Sequence, residues 1–101
     1  MDEENIIDVL NSNSIFENEY FIVYKILVEI PTQSVSWVKR VQLVNWKHKK
    51  SDLLELDIRR FSKKDDRYAK GISLTKRELK DFLTVMKEFN IDELKNDTDV
   101  F

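Results

Sequence analysis

The chain has no cysteine, one glycine (Gly71), one proline (Pro31) and one histidine (His48) in 101 residues. Without cysteine there is neither a disulfide framework nor a thiolate metal site, which reads as a reduced, intracellular protein. One histidine rules out His-rich ligand clusters and leaves none to spare for a Ser-His-Asp triad. One glycine removes the phosphate-cradling loops, because both Gly-x-Gly-x-x-Gly and the P-loop need several. Long apolar runs are also missing: the longest, Phe21 to Ile30, is interrupted by Lys25 and Glu29. The first residues, Met1-Asp2-Glu3-Glu4, are acidic where a secretory signal needs a basic start. The expectation is therefore no membrane span, no targeting segment and a cytoplasmic location, with the nucleoid in a bacterial or phage setting and the nucleus in a eukaryotic one.

Charge, by contrast, is abundant: 36% of residues are charged, with a formal sum of -2. The sum conceals a strong asymmetry. Between Tyr20 and Lys80 lie fifteen Lys or Arg against seven Asp or Glu, a net of +8, while the two ends together carry -10. A basic middle between acidic ends suggests an anionic partner for the middle, although a merely solvated surface fits the same count.

Residues 1–19 are polar and acidic, with Ile6, Ile7, Val9 and Leu10 spaced for a short amphipathic turn, and read as a loosely held arm or a disordered leader. Tyr20 to Ile30 alternates, placing Tyr20, Ile22, Tyr24, Ile26 and Val28 on one side of a first strand, with Lys25 and Glu29 reaching out on the other. Val35 to Trp46 forms a second, with Trp37, Val41 and Leu43 on one face and Arg40, Gln42 and Trp46 on the other. It is long enough to bend or to carry a bulge. After the polar turn 47–52, Leu53 to Phe61 is a third strand, with Leu54, Leu56 and Ile58 expected inward and Glu55, Asp57, Arg59 and Phe61 outward. A short fourth strand surrounds Gly71 to Leu74.

Thr75-Lys76-Arg77-Glu78 is a capping box, and Leu79, Phe82, Leu83, Met86 and Phe89 follow at helical spacing. Asn90 is the expected stop, and 91–101 form an acidic tail. The whole reads as one α+β domain over 20–90, a four-stranded antiparallel sheet followed by a C-terminal helix that covers one face. The face left over must meet solvent, a ligand or a second subunit, and a core this small gains from forming a homodimer.

No nucleophile with a nearby base can be picked out, and Asp65-Asp66 in a Lys-rich loop reads as solvated charge, so neither an enzyme nor a metal or cofactor site is expected. What remains is aromatic and basic residues interleaved on extended segments: Trp37 and Lys39, Arg40 and Trp46, Lys47 and Lys49, Arg59 and Phe61, Lys63. Single-stranded nucleic acid is held in this manner. Cations follow the phosphates and aromatic faces stack on bases, each stack contributing about 1–3 kcal/mol. Simple burial is the competing reading, favoured for Trp37, balanced for Trp46 and disfavoured for Phe61.

Two segments carry a resemblance. Leu56-Asp57-Ile58-Arg59-Arg60-Phe61, followed after a charged loop by Lys70-Gly71-Ile72-Ser73-Leu74-Thr75, resembles the signature of the positive cofactor four family of transcriptional coactivators, which bind single-stranded DNA. Trp37 to Trp46 is similar to the second strand of that family's bacterial members. The resemblance spans roughly Tyr20 to Phe89. It implies a dimer whose curved sheets present basic, aromatic grooves, with Arg59 on phosphate, Phe61 stacking and Lys70 as a further cation. Departures are the Phe at 61, where relatives often place Trp or Tyr, a first hairpin without the glycines common in relatives, a more basic turn at 47–50, and a short acidic arm in place of the eukaryotic Ser- and acid-rich regulatory region.

The resulting expectation is a non-enzymatic homodimer that binds single-stranded DNA, or RNA, with little sequence preference in transcription, replication or repair. The alternative is a protein-interaction module whose basic sheet meets an acidic partner, such as RNA polymerase or another transcription protein.

Overall fold

The computed structural model describes residues 14–95. Five strands follow one another in the sheet in chain order, all antiparallel: β1 (Phe16–Glu17), β2 (Phe21–Pro31), β3 (Trp37–Trp46), β4 (Glu55–Ser62) and β5 (Arg67–Leu74). One helix, α1 (Lys76–Met86), comes after them, and single 3-10 turns occupy Lys47–Lys49 and Ile91–Glu93. The expected four strands become five because the end of the acidic arm joins the sheet. Phe16 pairs with Val23 and Glu17 with Ile22. The Asn18 side chain accepts from the amides of Tyr20 (2.8 Å) and Phe21 (2.9 Å), which folds the chain back between β1 and β2. The rest of the arm, 1–13, and residues 96–101 of the tail lie outside the described residues.

The expected facing of the first and third strands is reversed. Phe21 and Val23, not Tyr20 and Ile22, are the buried residues at the start of β2. Irregularities between Val23 and Lys25 and between Ile26 and Val28 then break simple alternation, so that Ile26 stands opposite Gln42 and Glu29 opposite Arg40. In β4, Glu55, Asp57 and Phe61 are buried while Leu56 and Ile58, and Leu54 just before the strand, are only half-buried. The cause is chemical: on the inner face the charges are matched to one another, so burial costs them little.

The sheet curls until its ends meet. The Phe16 ring lies 4.9 Å from that of Tyr68, edge-on, which joins β1 to β5 around a core of Phe21, Val23 and Val44. Gly71 permits the closest approach, because a Cβ there would land on Arg59 Cβ and on the carbonyl oxygen of Ile58.

The helix starts as its sequence dictates. Thr75 Oγ1 accepts from the Glu78 amide (3.2 Å) and the Glu78 carboxylate accepts from the Thr75 amide (2.8 Å), which lowers the Glu78 pKa. It does not cover the sheet as expected. It lies mainly beside β4 and β5 and buries none of its residues, and Phe82, Leu83 and Met86, with Phe89 just beyond its end, all stand exposed.

Candidate nucleic-acid interface

The ten residues singled out from sequence fall on the two faces of the sheet and in its connections. Arg40, Trp46, Arg59 and Phe61 share the inner face, as their cross-strand pairs require: Val38 with Phe61, Arg40 with Arg59, Phe21 with Trp46. Each is engaged within the chain. Arg59 donates from Nε (2.7 Å) and Nη2 (2.9 Å) to the two Asp57 oxygens, and from Nη1 to the Ala69 carbonyl (3.2 Å). Asp57 is fully buried and also accepts from Gln42 Nε2 (3.0 Å) and Ser73 Oγ (2.6 Å). Ser73 in turn accepts from Trp46 Nε1 (2.9 Å).

Arg40 donates to Glu29 (2.8 Å) and to the Tyr68 hydroxyl (2.9 Å), which itself donates to Gln42 Oε1 (2.9 Å). Its guanidinium lies 3.6 Å from the centre of the Phe61 ring. The hydrogen bond from Arg40 lowers the Glu29 pKa, and burial raises that of Tyr68. Phe61 is only 4% exposed, so the outward, stacking position expected for it is corrected to a core position beneath Arg40.

Of the remaining cations, Lys47 pairs with Glu17 (2.6 Å), Lys49 with Glu55 (2.5 Å) and Lys63 with Glu29 (3.3 Å). Lys70 is exposed, in the irregular stretch of β5 beside Arg60.

The outer face has two halves. Toward the helix it is apolar, with Val41, Leu43, Leu56, Ile58, Ile72 and Leu74 in neighbouring registers. Toward the 62–67 loop it is cationic and aromatic. Lys39 and Arg60 are direct cross-strand partners, both exposed. Two like charges at that register repel. Among the described residues neither forms an ion pair. Beside them the half-buried Trp37 ring lies 4.6 Å from the Arg60 guanidinium and 5.6 Å from that of Arg67. Trp37 and Lys39 are among the ten residues singled out from sequence; Arg60 and Arg67 are not, although Arg60 stands directly across the β3–β4 hairpin from Lys39 and that register was the available signal.

Among the described residues no cluster of three or more His, Asp or Glu is placed to hold a metal ion, and no helix is long and apolar enough to cross a membrane. The chain matches no protein-family model, and no curated protein matches its sequence.

Proposed function

We propose that the chain is a non-enzymatic, single-stranded nucleic-acid-binding protein, with DNA the first candidate ligand, acting as a homodimer in transcription, replication or repair. The observation that carries the reading is the opposed Lys39 and Arg60, neither in an ion pair among the described residues, beside Trp37. An anion between the two cations relieves their repulsion, and a phosphate backbone supplies anions at regular spacing next to a ring on which a base can stack. Lys70 and Arg67, the latter 3.8 Å from Asp65, add positive charge nearby. The resemblance of the Asp57–Phe61 and Lys70–Thr75 segments to the coactivator family supports single-strand binding as the activity but not this face, since its Arg59 and Phe61 are engaged within the sheet.

The homodimer is supported by the exposed stripe Phe82, Leu83, Met86 and Phe89 together with the apolar half of the outer face. These surfaces leave water only against a partner, and a second copy brings the same pair. A second reading keeps the fold and replaces nucleic acid with an acidic protein partner. It is favoured by Phe61 being buried, which removes one of the expected stacking rings.

The test is a titration of fluorescently labelled oligo-dT with the protein at several salt concentrations, alongside a duplex control. The reading expects tight binding at low salt that weakens steeply with salt and is weaker for the duplex. Equal affinity for the duplex, or no binding at low salt, would overturn it.

A further inference from the structure

The β3–β4 ladder ends at the pair Val44 and Glu55, and beyond it the two chains part. β3 runs on to Trp46, and the connection leaves through the 3-10 turn Lys47–Lys49 and Lys50, whose φ of 49° is left-handed, before it returns at Leu53 and Leu54. The excursion is tied down. Asn45 Nδ2 donates to the carbonyls of Ser51 and Leu53 (the latter 3.1 Å), and the Leu53 amide donates to Ser51 Oγ (3.1 Å). The Trp46 indole is held by its own donation to Ser73 Oγ (2.9 Å). Between this connection and the start of α1 lies a preformed cavity of about 530 Å³, a size that takes a small molecule.

The lining is apolar at Leu43, Trp46, Leu53 and Leu54, and it carries one acid, Glu55. Glu55 is 8% exposed, and its carboxylate is neutralised by Lys49 at 2.5 Å. That partner is removable. The Lys49 side chain is 44% exposed and stands on a single 3-10 turn, so its ammonium can return to water, whereas Glu55 stays with the ladder. A carboxylate on an apolar wall that loses its lysine favours a cation bringing its own apolar body. Lys76, the other cation at the cavity, is itself engaged.

We propose that this cavity is a binding site for a small apolar amine, whose ammonium replaces that of Lys49 on Glu55 while its hydrocarbon lies against Leu43, Leu53, Leu54 and the Trp46 ring. Lys49 is then the resident occupant of the cation position and gates the site by swinging out. The site uses none of Lys39, Arg60 and Trp37, so the inference stands or falls apart from the nucleic-acid reading.

The test titrates the Trp37→Phe chain, in which Trp46 is the one remaining indole, with hexylamine, hexanol and hexanoate at neutral pH. The three probes share an apolar body and differ in the charge of the head. Trp46 fluorescence is expected to saturate with hexylamine at a concentration about tenfold below that needed for hexanol, and to respond least to hexanoate. In the same chain Glu55→Gln, checked for folding by circular dichroism, should bring amine and alcohol to comparable affinity, and Lys49→Ala should bind the amine several-fold tighter. The comparison of the three probes on the chain with Glu55 and Lys49 intact decides the matter even where a variant fails to fold. No saturable response to any probe would overturn the inference, as would equal affinity for amine and alcohol. Preference for hexanoate would assign the cavity to its lysines and overturn it as well. Hexylamine binding seen only after Phe82→Glu disrupts the helix stripe would make a second copy of the chain the occupant, and would likewise overturn it.

Discussion

Arg59 and Asp57, two residues apart on β4, form a bidentate ion pair with N···O distances of 2.7 and 2.9 Å on a fully buried carboxylate. The arginine that sequence motifs mark as a phosphate ligand is thus a structural group that neutralises Asp57. Removing one partner of a buried pair leaves the other uncompensated. Asp57→Ala is expected to cost about 3–5 kcal/mol in urea denaturation, while leaving the far-ultraviolet spectrum native at low denaturant if the protein remains folded.

Gly71 is required by space. An alanine there meets Arg59 Cβ and the Ile58 carbonyl oxygen, both fixed by the β4–β5 ladder. Gly71→Ala should destabilise by at least about 1–3 kcal/mol, the usual range for overpacking, as read from a lowered denaturation midpoint.

Acid should weaken the fold through Glu29 and Glu78. The pKa of Glu29 is lowered chiefly by the Arg40 hydrogen bond and that of Glu78 by the Thr75 amide. A carboxylate depressed in the folded state stabilises above its unfolded pKa, near 4.3, and that contribution disappears as pH falls through the lower folded value. The denaturation midpoint should be flat from about pH 7 to 5 and fall below about 4. In Glu29→Gln the fall should be shallower.

Self-association should depend on the helix stripe. Phe82 and Leu83 are 44% and 51% exposed in the single chain. Phe82→Glu, which leaves the capping box intact, should shift the sedimenting species from dimer toward monomer. An unchanged sedimentation coefficient would place the dimer surface elsewhere or remove it.

Much of the local structure was legible in the sequence. Thr75 and Glu78 marked the helix start, and the grouping of Trp37 with Val41 and Leu43 on one face of β3 followed from alternation alone. The facing of β2 and β4 did not. Both faces of β4 carry apolar residues, and parity cannot tell which side closes when Asp57, Arg59, Gln42 and Ser73 satisfy one another inside. In β2 the irregularities after Val23 and Ile26 leave no mark in composition. The strand Phe16–Glu17 was too short to stand out from an acidic arm. For the candidate site, the aromatic and basic types were readable, but which cations stay out of ion pairs depends on the acids that folding brings near: Glu17 to Lys47, Glu55 to Lys49, Glu29 to Arg40 and Lys63.

The central claim is that Lys39 and Arg60 hold phosphates of a single strand. The most direct measurement is the slope of log affinity against log salt for oligo-dT, in the native chain and in Lys39→Ala/Arg60→Ala. Each single-strand phosphate that a cation neutralises adds about 0.7 to the steepness of that slope, so the double variant should show a slope shallower by about 1.4, with weaker binding at low salt. An unchanged slope and affinity would contradict the claim.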